Sequence, residues 1–520
     1  MNSPVKYPIG VQDFEKIITE GYLYVDKTKL LYNLVQSSNC NFLSRPRRFG
    51  KSLTLSTLKA YFEGKKELFE GLALASLEKD WTVHPVFLFS FARFEKKQEM
   101  SIESLLEFYL ADYERQYGIE KQEPLKNFSN RFATLVKKAA EQTGQKVVIL
   151  IDEYDSSLVS TLTDGHLHEH IKQILKPFYT VIKDFDHLIR FSFITGITRF
   201  SRMTIFSGLN NLNDISLNPQ FEDICGITPA ELEKYFTEGI KLLGEEYNKT
   251  YEETLRILKA YYDGYHFSRR LLDIYNPFSI LNCFFNLQLS NYWFATGVPS
   301  FIVNRIKERD LDIEHFMNPE TSEYVLTAAD SAFYSDLAIL FQTGFLTIKD
   351  FIPSDDTYIL GIPNREVKEG MSKIFMEKFL CPDMMQGDNK LMEMTKAIRS
   401  GEPEKFLTLL KSFLAGVPFD LSKGNKEVYF HNTFYILTNL IGLKVQAERH
   451  TSAGSIDLVI STDKFIYVIE IKMNKKPQEA LDQINSKEYA LPWAEDNRKL
   501  FKIGINFSSR TRNISGWRIE

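Results

Sequence analysis

Residues 41–59 read NFLSRPRRFGKSLTLSTLK, an apolar strand-like piece, a basic loop and a helical repeat in immediate succession. No other segment limits the fold as tightly. Leu55, Leu58 and Phe62 recur at helical spacing, and Gly64 is placed to stop the helix. Strand, loop and helix in this order aim successive backbone N–H groups and a helix N-terminus at one point, which suits a phosphate. Gly50, Lys51 and Ser52 close the loop. In such a loop the lysine reaches the outer phosphates and the serine hydroxyl holds magnesium. The usual pattern has a glycine five places before Gly50, and Arg45 stands there instead. Pro46 stiffens the turn, and Arg47 and Arg48 add charge that faces either a nucleotide or another partner.

The second half of a nucleotide site should be a buried strand ending in carboxylates, and VVILIDEYD at 147–155 has that form. Asp152 is placed to orient a magnesium shell, and Glu153 to polarise a water for attack on the terminal phosphate. HPVFLFSFA at 84–92 and LIRFSFITG at 188–196 are two further strands for the same sheet. The second ends in Thr195-Gly196, followed by Arg199 and Arg202; Arg199 reads equally as a phosphate sensor or as a structural arginine. A helical pattern at 168–184 completes an alternating α/β layer, whose ligands are expected beyond the C-terminal ends of the strands.

Four stretches together resemble the AAA-ATPase-like domain family, often fused to a nuclease domain. They are YPIGVQDFEKIITEGYLYVDKT (7–28), RPRRFGKS (45–52), LIDEYD (150–155) and ITGITRFSRMTIFSGLNNLNDIS (194–216). In that family the loop is an arginine-rich variant without its first glycine, so Arg45 keeps to the family pattern. The resemblance implies a P-loop NTPase sheet over residues 1–225, with ATP and magnesium as ligands and ATP hydrolysis as the expected activity. Arg45, Arg47, Arg48, Gly50, Lys51, Ser52, Asp152 and Arg199 are the expected nucleotide-binding residues, with Ser52 and Asp152 on the metal.

With 520 residues the chain exceeds one hydrophobic core. A helical region is expected over 226–330, opened by Thr228, Pro229 and Glu231 as cap, first turn and capping box. His266 is expected to be a satisfied histidine in an aromatic cluster. Residues 335–361 outline a winged helix without an arginine-rich recognition helix, which favours packing or partner binding over duplex DNA. With a mainly helical stretch after it, this forms a region at 331–424. A net charge of -5 argues against a uniformly basic nucleic-acid coat but leaves room for a local basic groove. Cys40, Cys225, Cys283 and Cys381 are too scattered for a zinc or disulfide framework. No run of eighteen apolar residues and no apolar signal core is found, so a cytoplasmic protein with no membrane span is expected.

The last hundred residues hold a second constellation. A helical stretch opens at Glu427, LKVQAERH follows with Glu448, and then come the strands IDLVI and FIYVIEIK. Strand alternation puts Glu470 and Lys472 on one face, and antiparallel pairing of 456–460 with 465–471 brings Asp457 to them. Two close carboxylates call for a divalent cation; oxygen ligands select magnesium or manganese, which would lower the pKa of a bound water. A metal-free Glu470–Lys472 ion pair is the alternative.

These residues resemble the PD-(D/E)XK nuclease superfamily, its aspartate falling on Asp457, its acidic residue on Glu470 and its lysine on Lys472. Glu427 and Glu448 compete for an auxiliary acidic role. ALDQINSKEYA at 480–490 resembles the glutamine helix and tyrosine of related members, which brings in Gln483 and Tyr489. The resemblance implies a restriction-endonuclease-like α/β domain over 425–520, cleaving nucleic acid, DNA more than RNA. The whole is expected to be an ATPase coupled to a metal-dependent nuclease, with Glu153, Asp457, Glu470 and Lys472 as catalytic residues and homo-oligomers possible. The rival expectation is an ATP-regulated interaction module with an inactive nuclease-like fold.

Overall fold

A computed structural model describes residues 5–94, 101–120, 127–161, 164–199, 206, 209, 211–296, 319–327, 336–375, 384–415, 444–451, 454–511 and 513–520. It divides into two compact units: residues 1–293 with 317–365, and residues 294–316 with 366–520. Arg202, Cys381 and Glu427 lie outside the described residues.

The first unit is built on a five-stranded sheet of β1 (Cys40–Ser44), β2 (Val86–Ser90), β3 (Val147–Asp152), β4 (Ile189–Gly196) and β5 (Asn213–Asp214). All neighbours are parallel, and the spatial order is β2-β3-β4-β1-β5. Every residue of β1 and β3 is buried, because helices cover both faces and no alternation is needed. β4 lies between the strand feeding the phosphate loop and the strand carrying the carboxylates. That places Thr195, at its tip, between the two halves of the site. One face is sealed by helices Ile102–Gln116, Phe128–Thr143 and Gly165–Asp184, whose aromatic residues interlock; Phe132 stacks on Phe178 at 4.6 Å between ring centroids.

Helix Pro229–Tyr247 starts with the full capping box between Thr228 and Glu231, and helix Tyr251–Tyr262 repeats the device with Thr250 and Glu253. Both pack with helix Pro277–Asn286 around Phe236, Leu258 and Phe284. A smaller module follows: β6 (Glu320–Ser322), helix Asp336–Thr343, β7 (Thr347–Ile352) and β8 (Thr357–Gly361), the strands forming an antiparallel sheet ordered β6-β8-β7. His266 is buried and satisfied, but by polar partners and not by aromatic rings. Its Nδ1 meets the Ile348 carbonyl at 2.6 Å and its Nε2 meets Asp273 at 2.8 Å.

The second unit carries a five-stranded mixed sheet of β9 (Lys444–Thr451), β10 (Gly454–Ser461), β11 (Phe465–Met473), β12 (Lys499–Ser508) and β13 (Asn513–Ile519). Its order is β13-β12-β11-β10-β9, with β11 and β12 parallel and the other pairs antiparallel. Strand alternation sends Tyr467 and Ile469 to one face, against helices Met384–Arg399 and Pro403–Ala415. Ile466 and Val468 go to the other, against helix Pro477–Ser486. The buried cysteines Cys40, Cys225 and Cys283 are free thiols. Among the described residues no helix is long and apolar enough to cross a membrane.

Candidate nucleotide and nuclease sites

The phosphate loop runs from the end of β1 into helix Lys51–Phe62. Gly50 has φ +101°, a left-handed conformation that side chains avoid, so glycine is required at the helix start. Lys51 is buried and donates to the Arg45 carbonyl at 2.8 Å and the Pro46 carbonyl at 2.9 Å. Burial lowers its pKa, against the opposing pull of Glu153 and Asp152. Ser52 Oγ donates to Asp152 Oδ2 at 2.6 Å, joining the loop to the tip of β3. Thr195 Oγ1 donates to the other carboxylate oxygen, Asp152 Oδ1, at 2.8 Å.

Glu153 has φ +51° and follows Asp152 into the turn after β3. Burial raises its pKa, and Lys51 opposes that rise. The next two residues work on the backbone of β4's exit. Tyr154 donates from its hydroxyl to the Thr198 carbonyl, and Asp155 accepts from the N–H groups of Ile197 and Thr198. Gly196 admits this clamp: a Cβ there would lie 2.5 Å from the Tyr154 ring and 2.7 Å from Asp155. The sequence offers Thr195 as a polar strand tip but no local sign of this clamp, since Tyr154 and Asp155 meet their partners only through strand order.

The three loop arginines separate. Arg45, expected on the nucleotide, points into the protein. It is buried, and its guanidinium donates to the carbonyls of Ser44, Ser216, Phe221 and Glu222 while lying 4.1 Å from the Phe267 ring centroid. A guanidinium has donors in a planar fork, and here they meet backbone acceptors, so the residue is a strut of the loop. Arg47 and Arg48 are exposed; Arg48 leans over Phe278, and Arg47 is close enough to lower the pKa of Glu153. Arg199 is buried and pairs with Asp214 of its own chain at 2.8 Å.

In the second unit, the β10–β11 pairing runs as far as Leu458 opposite Ile469, and Asp457 and Glu470 are the next residue on each strand. Asp457 Oδ2 accepts from the Ile471 N–H at 2.8 Å, which ties the two strands where the acidic groups meet. Glu470 is buried, and its Oε1 accepts from Lys472 Nζ at 2.9 Å and from Gln483 Nε2 at 2.6 Å. Gln483 comes from helix Pro477–Ser486, and its amide also lies 3.4 Å from the Tyr489 hydroxyl. The other oxygen, Glu470 Oε2, is buried with no hydrogen-bond partner. Burial and the facing Asp457 push the Glu470 pKa up, and Lys472 pulls it down. An orphaned carboxylate oxygen beside a second carboxylate fits a hard divalent cation. Among the described residues no three His, Cys, Asp or Glu side chains gather as a metal cluster, so this pair is the donor set in view. Glu448 lies on β9, next to β10.

Comparison with known proteins gives two family matches. A model described as Predicted AAA-ATPase matches residues 8–206, and one described as PD-(D/E)XK nuclease superfamily matches residues 425–517. A protein of Azotobacter chroococcum mcd 1, described as an uncharacterized protein in the vnfD 5' region, is 32% identical over 526 residues and covers 99% of both chains. Among solved structures, a Signal Transduction ATPase with Numerous Domains protein with a tetratricopeptide repeat sensor, from Pyrococcus horikoshii, is 12% identical. That match covers 80% of this chain and 58% of that one at a TM-score of 0.21, too slight to carry an argument.

Proposed function

From a chain that belongs to the family joining a predicted AAA-ATPase to a PD-(D/E)XK nuclease superfamily domain, we propose an ATP-hydrolysing protein that cleaves phosphodiester bonds, with DNA preferred over RNA. The observation that carries the cleavage reading is Glu470. One of its oxygens is held by Lys472 and Gln483, and the other is buried beside Asp457 without a well-formed hydrogen bond.

Asp457 and Glu470 would hold magnesium or manganese, and Ser52 and Asp152 would hold magnesium with ATP. Metal at these places supplies a water of lowered pKa in the one and charge neutralisation of the phosphates in the other. Lys472 presents its ammonium to the phosphate under attack and stabilises the negative charge that develops there. Gln483 fixes the carboxylate plane of Glu470. In the first unit, Lys51 neutralises the outer phosphates, and Glu153 orients and deprotonates the attacking water.

The test is a magnesium-dependent cleavage assay on single-stranded, duplex and branched DNA, with and without ATP. Wild type, Asp457→Ala and Lys51→Ala are compared. Cleavage should vanish in Asp457→Ala, and ATP hydrolysis in Lys51→Ala. A wild-type chain that binds DNA in an ATP-dependent way and cuts none of the three would replace this reading with a regulatory interaction module. Unchanged cleavage in Asp457→Ala, with contaminating nuclease excluded, would remove the assignment of that site.

A further inference from the structure

The nucleotide site is gripped from outside by residues far along the chain. Gln342, in helix Asp336–Thr343, is only 4% exposed, and both ends of its amide are used. Its Oε1 accepts from the Arg199 N–H at 2.9 Å, and its Nε2 donates to the Leu326 carbonyl at 2.7 Å. Arg199 ends the turn whose preceding N–H groups, those of Ile197 and Thr198, are held by Asp155. That turn leaves β4 just after Thr195, which bonds Asp152, which in turn bonds Ser52. Hydrogen bonds and short backbone steps thus connect Ser52 in the phosphate loop to Leu326 in the small module.

A second grip falls on the loop itself. Trp293 Nε1 donates to the Arg47 carbonyl at 3.0 Å, and its ring packs on Phe345. Gly344 has φ +88°, and a Cβ there would lie 2.8 Å from Cβ of Pro46, so the module's backbone rests on the proline ring. The carbonyls of Arg45 and Pro46 are the acceptors of Lys51 Nζ. A phosphate group competes with those carbonyls for the ammonium. Drawing the lysine away disturbs the Arg45–Pro46 peptide, whose proline ring carries Gly344, and the Pro46–Arg47 peptide next to the carbonyl that Trp293 holds.

We propose that Gln342 and Trp293 are positioning residues for the nucleotide site, through which the module of residues 320–327 and 336–361 registers whether nucleotide is bound. The proposal rests on the nucleotide-binding reading above. Apolar cover would suffice to shield the loop, and Phe345 and Trp293 supply it. A buried amide committed at both ends does something more: it sets the distance between the Arg199 turn and the Leu326 carbonyl. Linkage then makes the effect reciprocal, since a contact that alters nucleotide affinity is altered by nucleotide to the same degree. A hydrogen-bonded path is not by itself coupling, so the test must measure coupling.

The experiment is hydrogen exchange on the full chain at residues 336–346, with and without magnesium and ADP or a slowly hydrolysed ATP analogue, alongside the nucleotide Kd. Wild type should show a nucleotide-dependent change in exchange there. Gln342→Ala should lose that change and shift the Kd by about fivefold or more. Gln342→Glu keeps an oxygen for the Arg199 N–H and should retain more of the response. Trp293→Phe keeps the ring, loses the bond to the Arg47 carbonyl, and should shift the Kd in the same direction; it carries the test if Gln342→Ala does not fold. A purely structural role would lower the melting temperature of the variants and leave the exchange response intact, and that result overturns the proposal. So does wild-type nucleotide binding with no change at 336–346. Absence of any Lys51-dependent binding removes the nucleotide reading and this inference together.

Discussion

Arg45 replaces a glycine whose usual task is to let the loop turn closely around phosphate. The side chain solves a different problem, fastening the start of the loop to the 216–222 backbone. Burial lowers its pKa to about 10, still well above neutrality, so it stays charged there. Arg45→Ala would strand the carbonyls of Ser216, Phe221 and Glu222 and open a void under Phe267. We expect a loss of about 2 kcal/mol or more in urea unfolding. Asp263 is a second residue with a measurable signature. It is buried without a well-formed hydrogen bond to its carboxylate, and desolvation raises its pKa to about 6. The folded state therefore holds this proton more tightly than the unfolded chain does. Its stabilising contribution is complete below the unfolded carboxylate pKa near 4 and is lost as pH rises through about 6. Asp263→Asn should flatten that slope and stabilise the protein at pH 8 by about 1–3 kcal/mol. A slope between pH 4 and pH 6 that survives the substitution would place its source elsewhere.

At the scale of elements, caps and strand tips carry the expectations. Thr228→Ala removes one half of a capping box and should lower stability by about 1 kcal/mol, seen as a shift of the urea midpoint without a change in slope. The Thr228 and Glu231 box is legible in the sequence because both partners lie within one turn. The exit of β4 is not. Gly196→Ala drives a methyl into Tyr154 and Asp155, and overpacking of that kind costs about 1–3 kcal/mol. Because the same turn holds Thr195 against Asp152, ATP hydrolysis should fall more steeply than stability; equal losses would mean that the turn only packs. The β10–β11 hairpin lies between these cases. Alternation of apolar residues foretells its pairing, and the bond from the Ile471 N–H to Asp457 then ties the two acidic positions together.

Over the whole molecule, the two constellations fall in different compact units, so their chemistries should separate by substitution. Asp457→Asn keeps the shape of the side chain and removes its charge. It should abolish cleavage while leaving the Kd for nucleotide within about twofold; a larger shift would show that the two sites are energetically linked. The two motif pairs were legible because each lies in short contiguous stretches whose chemistry follows from residue type and strand or helix period. Gly50-Lys51-Ser52 with Asp152-Glu153, and Asp457 with Glu470 and Lys472, are of this kind. The inward turn of Arg45, the clamp of Asp155 on the 197–198 backbone and the reach of Gln342 to Arg199 were not. Each joins groups separated by 42 to 177 positions. The sequence by itself therefore determined which chemical groups this protein brings to bear and on which strands they ride. Tertiary structure alone decided which of them face the sites and which hold the sites in shape, because that depends on strand order and on which buried donors must find acceptors.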